Sequence, residues 1–402
     1  MNIIFTIAIF TMLFLGGSNV RVALGLGSLD FSFFALFMTV CYVLGCKGKI
    51  AFHKSEYFIV LLFLSFFFIR QKNLGYEFGL RDNYRAFMLA PLAVIFFTEN
   101  NFRLKESAKK YLRIVKCFYL LECFIAIFER VTLTRIFPNL GFDTGFEEYS
   151  EGFRSYALLG HPLSNAAMVL LLMNLILVNE SIKDKQKIIY WTLGFAALLC
   201  FNGRLAIFLS VACFAVYLFK TFFKGGKAFG NKFVVLFFVL VTAFLVFRLI
   251  NSGWGDRIFL NADTDNGSAN ARFAIFDIFS YTTFSLKEIL FGAQSSFITG
   301  AQIRMGGSDL IIENPWLLLL FRYGLVVLVL AIFSYVVTFA KIFKGCGYYK
   351  SLFIIIPWLI QASSSNGLAG SGTALTNFIT LVFIFKIFDK SLNNNNINKK
   401  VI

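Results

Sequence analysis

Long apolar runs separated by short polar segments dominate this chain, and the runs have lengths suited to crossing a bilayer. A transmembrane helix needs about 20 mostly apolar residues. On this basis the pattern predicts an all-α polytopic membrane protein with about 12 transmembrane helices, and residues 1–402 form one integral membrane domain. The predicted spans are roughly 3–16, 30–46, 56–70, 85–97, 112–131, 163–179, 187–201, 204–222, 232–250, 315–340, 351–363 and 373–389.

Two polar stretches between the spans predict long external loops. The first covers 132–162 and is acidic in its middle. The second covers 251–314 and is large enough to fold as a small subdomain. Within it, Ala269 to Leu290 has helical apolar spacing, which predicts a helix lying on the membrane surface. The asparagine-rich residues 390–402 are predicted to form a cytoplasmic tail.

The apolar stretch from 187 to 222 is too long for one span and short for two. The dipeptide Asn202-Gly203 in its middle is a turn signal, and lysines flank both of its ends. We therefore expect two helices joined by a tight turn.

Lysines and arginines separate onto opposite sides when the runs are threaded alternately through a bilayer. At least 20 of the 23 lysines fall on one side, including those of the 390–402 tail. The positive-inside rule makes that side the cytoplasm, so both termini are predicted there. Most arginines fall on the external side, against the rule. Because a guanidinium binds phosphate or carboxylate through a fork of N–H groups, this placement favours an anionic external ligand.

Composition agrees with a membrane protein and narrows the chemistry. The chain is 58% apolar, has a mean hydropathy of +0.73 and contains 54 phenylalanines. The net charge of +16 comes from lysines that fit a topogenic role and attraction to anionic membrane lipids, so we predict no nucleic-acid partner. The seven cysteines form no CxxC pair, and with only two histidines we expect neither a metal site nor a cofactor.

The strongest local combination of residues is Glu313-Asn314-Pro315 followed by Arg322 in an apolar run. Asparagine is a good N-cap and proline is favoured at the first helical position, so the helix is predicted to begin at Pro315. Glu313 would then lie at the positive end of the helix dipole. Arg322 would lie about 10 Å below the helix start, where a charge is costly and usually functional. The structural alternative is an ion pair of Arg322 with Glu122 or Glu129.

Three further arginines and one histidine lie in predicted external turns and loops. Arg204 directly follows the Asn202-Gly203 turn. It either has a functional role or extends from the helix end to the lipid headgroups. Arg154 precedes His161-Pro162, where proline again predicts a helix start. His161 either forms a hydrogen bond with a sugar hydroxyl or is a structural loop residue. Arg272 either has a functional role or is a solvated loop arginine. The sequence Asp263-Thr264-Asp265 matches a metal-binding DxD pattern only weakly, and we interpret it as a polar turn.

In their order and spacing these segments resemble the O-antigen polymerase and O-antigen ligase superfamily of integral membrane enzymes, which act on polyprenyl-linked glycans. The likeness is best over 188–335 and extends to weaker early segments, and no single motif is specific. The matching segments are Arg154 to Asn165, Asn202-Gly203-Arg204-Leu205-Ala206, Ala271-Arg272-Phe273 to Leu290-Phe291-Gly292, and Glu313-Asn314-Pro315-Trp316-Leu317 to Arg322-Tyr323-Gly324-Leu325.

The resemblance implies a metal-independent glycosyl transfer at the external face of the bacterial inner membrane. The substrate would be a polyprenyl-pyrophosphate-linked oligosaccharide, bound by Arg154, Arg204, Arg272, Asn314 and Arg322. Glu313 is the first candidate for the general base and His161 the second. Membrane lipids, a chain-length regulator and a flippase are the further partners that it implies.

Two departures from the family pattern favour a polymerase over a ligase. Glu313 stands where many ligases have histidine, and Arg322 stands where an uncharged or acidic residue is usual. A ligase that transfers glycan to a lipid acceptor remains the nearest alternative. A flippase is the alternative without catalysis, but the sequence shows no internal repeat of the kind common in transporters.

Overall fold

A computed structural model describes residues 10, 13–15, 17–26, 65, 108–137, 153–180, 182–223, 275–304, 314–346 and 348–363. Within these ranges the regular structure is helical and contains no strand, which confirms the predicted all-α class for this part of the chain. The predicted spans 30–46, 85–97, 232–250 and 373–389 lie outside the described residues, as do most of 3–16 and 56–70.

Two of the described helices are long and apolar enough to cross a membrane. Their qualifying segments are Arg204–Thr221 and Pro315–Phe333. The helices Pro162–Val178 and Leu352–Ser363 are apolar but shorter. The predicted number of about 12 spans therefore stays a prediction.

Five longer helices form the main bundle, together with the short helix α1 (Ser18–Ala23). Their bounds agree with five of the predicted spans to within a few residues. They are α2 (Ala108–Thr132), α3 (Pro162–Val178), α4 (Asp184–Phe201), α5 (Arg204–Phe223) and, at the C-terminal side, α10 (Tyr348–Ser363).

The helix α3 is the centre of this bundle. It packs against α4, α5 and α10, and nearly all of its residues are buried. Aromatic rings fill the space between α4 and α5, where the rings of Trp191 and Phe214 stack with centroids 3.9 Å apart. A helix that is apolar all round is expected in such a position, because every face meets another helix.

A second cluster forms around the long helix α9 (Pro315–Cys346). Before it come a 3₁₀ turn (Ile275–Asp277) and three short helices: α6 (Ile278–Tyr281), α7 (Leu286–Phe291) and α8 (Ser295–Arg304). The prediction of one helix from Ala269 to Leu290 was wrong over its described part. The chain is extended at Thr282, and a capping box between Ser285 and Glu288 begins a new helix.

The helix α9 is broken at Gly324, which has φ 79° and ψ 172°. Only glycine adopts this backbone conformation without strain. The break was not predicted, because a single glycine within an apolar run is compatible with a continuous helix.

Candidate functional site

The two ends of the main bundle differ in their basic residues. At the end where α2 and α4 finish and α3 and α5 begin, the basic residues are arginines; we call it the arginine end. At the opposite end they are mostly lysines, with Arg113 as an exception, and we call it the lysine end. The arginine end carries Arg130, Arg135, Arg154 and Arg204, and the lysine end carries Lys109, Lys110, Lys116, Lys183, Lys185, Lys187 and Lys220.

Glu129 of α2 organises the backbone at the arginine end. One carboxylate oxygen accepts hydrogen bonds from the Ser155 hydroxyl and from the backbone N–H groups of Tyr156 at 2.9 Å and Ala157 at 3.0 Å. The other oxygen accepts from the N–H of Ile136 at 3.1 Å. Glu129 is fully buried, and these donors replace the water that its carboxylate loses.

Two neighbours of Glu129 on α2 bind the same stretch of backbone, residues 153–158, which we call the 153–158 segment. The Arg130 guanidinium donates to the carbonyl of Phe153 at 2.7 Å. Glu122, two turns earlier on the helix and also fully buried, accepts from the N–H of Leu158 at 3.2 Å. The 153–158 segment is therefore held by side chains of α2, and the hydrogen bond from the charged Arg130 guanidinium is stronger than one from a neutral donor.

Two buried asparagines complete the support of the 153–158 segment. Asn19 of α1 donates to the carbonyl of Ala157 at 2.8 Å, and Asn165 of α3 donates to the carbonyl of Tyr156. Ala157 has a positive φ of 37°, an uncommon conformation for alanine, which these contacts maintain. The backbone on both sides of Arg154 is thus fixed by three helices.

The predicted substrate-binding residue Arg154 lies within this segment and is half-buried. The N–H of the next residue, Ser155, donates to the carbonyl of Cys200 at 3.1 Å. This bond joins the segment to the last turn of α4, only a few residues before Arg204.

The predicted turn at Asn202-Gly203 is confirmed. Asn202 ends α4 in the left-handed conformation with φ 53°, and Arg204 is the first residue of α5. A Cβ on Gly203 would lie 3.0 Å from the Cβ of Ala166, so the turn packs directly on the first part of α3. Arg204 is exposed at the arginine end, as its position after the turn predicts.

His161 also lies at the arginine end. It is the N-cap of α3, Pro162 is the first helical residue, and the imidazole is exposed. Its side chain does not cap the helix. The structure therefore brings Arg154, His161 and Arg204 to one end of the bundle, on a backbone that is fixed by buried polar contacts.

The predicted helix start at Asn314-Pro315 is confirmed in detail. The Asn314 side-chain oxygen accepts from the N–H groups of Trp316 at 3.0 Å and Leu317 at 3.2 Å. This N-cap accounts for the asparagine without a ligand. Trp316 packs against both hydrophobic clusters and so connects the start of α9 to the main bundle.

Arg322 lies two turns below this helix start and is half-buried. The turn after α7 packs against its backbone: a Cβ on Gly292 would lie 2.5 Å from the Arg322 carbonyl oxygen, and the N–H of Ala293 donates to the Phe321 carbonyl at 2.8 Å. Both contacts lie directly before the break at Gly324. Glu122 and Glu129, the alternative partners of Arg322, bind the backbone of the 153–158 segment as described above.

Two of the predicted site residues, Glu313 and Arg272, lie outside the described residues, as does Asp263-Thr264-Asp265. Their roles stay predictions. Within the described part of the chain, no three His, Cys, Asp or Glu side chains come together as metal ligands.

Glu129, Arg130 and Arg135 were not among the site residues predicted from the sequence. Arg135 lies over the ring of Tyr156, with its guanidinium carbon 4.2 Å from the ring centroid. One signal was available: Glu122 and Glu129 are seven residues apart in an apolar helix and so share a face, and ionisable residues in such helices are usually functional or paired.

Comparison of the chain with protein-family models finds no match, and comparison with curated proteins finds none either.

Proposed function

We propose that this protein is a polysaccharide polymerase of a bacterial inner membrane. It joins polyprenyl-pyrophosphate-linked oligosaccharide repeat units into O-antigen, capsule or a related surface glycan. In this proposal about 12 helices span the membrane, both termini are cytoplasmic, and the arginine end faces outward. The order of the resembling segments supports the family, and the departures at Glu313 and Arg322 favour a polymerase within it.

The observation that carries the proposal is the shared position of Arg154, His161 and Arg204 on a rigid backbone, at the end opposite the lysines. A pyrophosphate leaving group needs fixed cations close to it. Arginines that are positioned before the substrate binds stabilise charge developing on a departing phosphate without a reorganisation cost. The buried contacts of Glu129 and the packing of the Asn202-Gly203 turn supply such positioning for Arg154 and Arg204.

The reaction is a glycosyl transfer. A hydroxyl oxygen of the acceptor sugar attacks the anomeric carbon of the donor glycan and forms the new glycosidic bond. The bond from that carbon to the pyrophosphate oxygen breaks, and the polyprenyl pyrophosphate leaves with the bonding electron pair. Arg154 and Arg204 stabilise its charge, with Arg272 and Arg322 as the further candidates.

The hydroxyl proton passes to a general base. Glu313 is the first candidate, because it directly precedes the Asn314 cap in the sequence, and the start of a helix favours an ionised carboxylate. His161 is the second, since its exposed imidazole stands at the start of α3.

The surface glycan of a strain lacking this protein tests the proposal. A polymerase predicts that the lipid acceptor carries a single repeat unit and no longer chains. An acceptor without any glycan would instead indicate a ligase. Lipid-linked repeats trapped on the cytoplasmic side would indicate a flippase, and an unchanged ladder would contradict all three functions.

A further inference from the structure

A groove between α2 and α3 lies at the lysine end, far from Arg154 and Arg204. Its walls are mainly aliphatic, and the groove together with the solvent at its open side encloses about 350 Å³. The lining residues are Leu112, Val115, Lys116, Tyr119, Leu172, Leu175, Ile176, Asn179 and Ile182.

One cation stands in this apolar groove. Lys116 is half-buried, and its ammonium lies 5.9 Å from the centroid of the Tyr190 ring. The ion pairs of the described residues at this end are Lys187 with Asp184 and Lys350 with Glu180, and neither involves Lys116. Because half-burial removes part of the water around the Lys116 ammonium, an anionic group beside it would be stabilised.

Tyr119, which lines the groove, is held in place by a hydrogen bond. The Tyr119 hydroxyl donates to the carbonyl of Tyr190 at 2.6 Å, which joins α2 to α4 beneath the groove. The remaining walls are mostly aliphatic side chains of α2 and α3, with Asn179 as a polar residue among them. An occupant that matches this surface has one anionic group at Lys116 and an alkyl chain along the walls.

We propose that this groove binds an anionic phospholipid of the leaflet at the lysine end. The phosphate pairs with Lys116, and one acyl chain lies between Leu112, Leu172 and Ile176. Basic pockets between membrane helices on the cytoplasmic side are known to take anionic headgroups. This site is separate from the proposed glycan site, and it requires only that the bundle lies in a bilayer.

Phosphatidylglycerol is the probe. Phosphatidylcholine, whose headgroup has no net charge, is the comparison lipid. The full-length protein is delipidated, and the affinity of each lipid is measured by native mass spectrometry. Loss of one lysine near an anionic headgroup is expected to weaken binding about fivefold, so we expect this decrease for phosphatidylglycerol in Lys116→Gln. Lys185→Gln is the matched control, because Lys185 is exposed at the same end and does not line the groove.

A second variant separates the acyl chain from the charge. Leu112→Trp fills the groove and leaves Lys116 in place, so it should also weaken phosphatidylglycerol binding. Thermal unfolding midpoints close to wild type establish that the variants are folded, and if Leu112→Trp does not fold, the two lysine variants decide. Wild-type affinity in Lys116→Gln, an equal loss in Lys185→Gln, or equal affinity for phosphatidylcholine would each overturn the proposal.

Discussion

Glu129 is the residue on which the geometry of the arginine end depends most. Its two carboxylate oxygens accept from one hydroxyl and three backbone N–H groups, which belong to chain segments on either side of residues 138–152. We therefore treat Glu129 as a positioning residue for Arg154, one that does not touch the substrate.

Glu129→Gln should lower the free energy of unfolding by about 1–3 kcal/mol, the usual cost of leaving a buried donor without an acceptor. An amide nitrogen replaces one oxygen and cannot accept from Ile136 or from the 153–158 segment. Denaturant unfolding in detergent measures this change. Glu180→Gln is the control, since Glu180 forms an exposed pair with Lys350 and should have almost no effect. Equal stability of the two variants would show that Glu129 is dispensable.

Glu313→Gln should be nearly inactive and Glu313→Asp partly active, if Glu313 is the general base. Glutamine keeps the size and hydrogen bonding of the side chain but cannot take a proton. General-base catalysis contributes about 10²–10⁴-fold, so the glycan ladder should collapse to short products. Wild-type chain lengths in Glu313→Gln would move the role to His161, and His161→Ala is then the next variant to measure.

Local residue preferences were predictable from the sequence, and distant partners were not. Asn314 and Pro315 begin α9 and Pro162 begins α3, because capping and the fixed proline φ are properties of adjacent residues. The role of Glu129 depends on residues 26 to 28 positions later, and no local pattern indicates which backbone groups reach it.

At the scale of elements, the break in α9 is the feature with the clearest structural cause. A Cβ on Gly324 would overlap the carbonyl of Leu290, and a Cβ on Gly292 would approach that of Arg322. The two glycines therefore allow α7 and α9 to touch through their backbones. In the proposed membrane topology α7 covers the non-helical backbone of α9, and such backbone is tolerated within a membrane helix where protein covers it.

Gly324→Ala should destabilise the protein by about 1–3 kcal/mol, because a non-glycine residue is strained at this φ and its Cβ has no room. It should also reduce chain length, since the break is two residues from Arg322. Gly300→Ala in α8 is the matched control: its Cβ meets nothing within 4 Å, and alanine favours a helix. Thermal unfolding in detergent compares the two, and a Gly324→Ala variant as stable as Gly300→Ala would contradict this reason for the break.

Helix positions followed from the apolar pattern for α2, α3, α4, α5 and α10, whose buried faces are set by their own composition. Residues 275 to 291, by contrast, do not form the continuous helix that their apolar spacing predicts. There Thr282 accepts a hydrogen bond from Arg304 at 2.7 Å, and the Ser285 capping box begins a new helix, so one tertiary contact and one local signal interrupt the predicted continuous helix.

At the scale of the whole molecule, the separation of arginine and lysine by end is the property that relates the fold to a membrane. The helix bounds place the two kinds of cation at opposite ends of the bundle, as alternate threading of the apolar runs predicts. Under the proposed topology, the positive-inside rule predicts that the lysine end faces the cytoplasm.

Cysteine labelling tests this orientation. A cysteine at Thr134, which is exposed at the arginine end, should react with a membrane-impermeant maleimide in cells whose outer envelope is permeabilised and whose inner membrane is intact. A cysteine at Gln186, exposed at the lysine end, should react only after the inner membrane is permeabilised. The wild-type chain supplies the background from its native cysteines. The reverse pattern would place the arginine end in the cytoplasm and remove the external site.

The most direct test of the central claim is polymerisation by the purified chain in vesicles. The substrate is the polyprenyl-pyrophosphate-linked repeat unit extracted from a strain lacking this protein. Wild type should produce a ladder of chain lengths and release polyprenyl pyrophosphate, and Arg154→Ala and Arg204→Ala should each slow this by about 10²–10³-fold. Lysine at either position should rescue poorly, and Arg113→Ala, an exposed arginine at the lysine end, should behave as wild type. Absence of any chain growth by wild type, or full-rate growth by the Arg154 and Arg204 variants, would contradict the account.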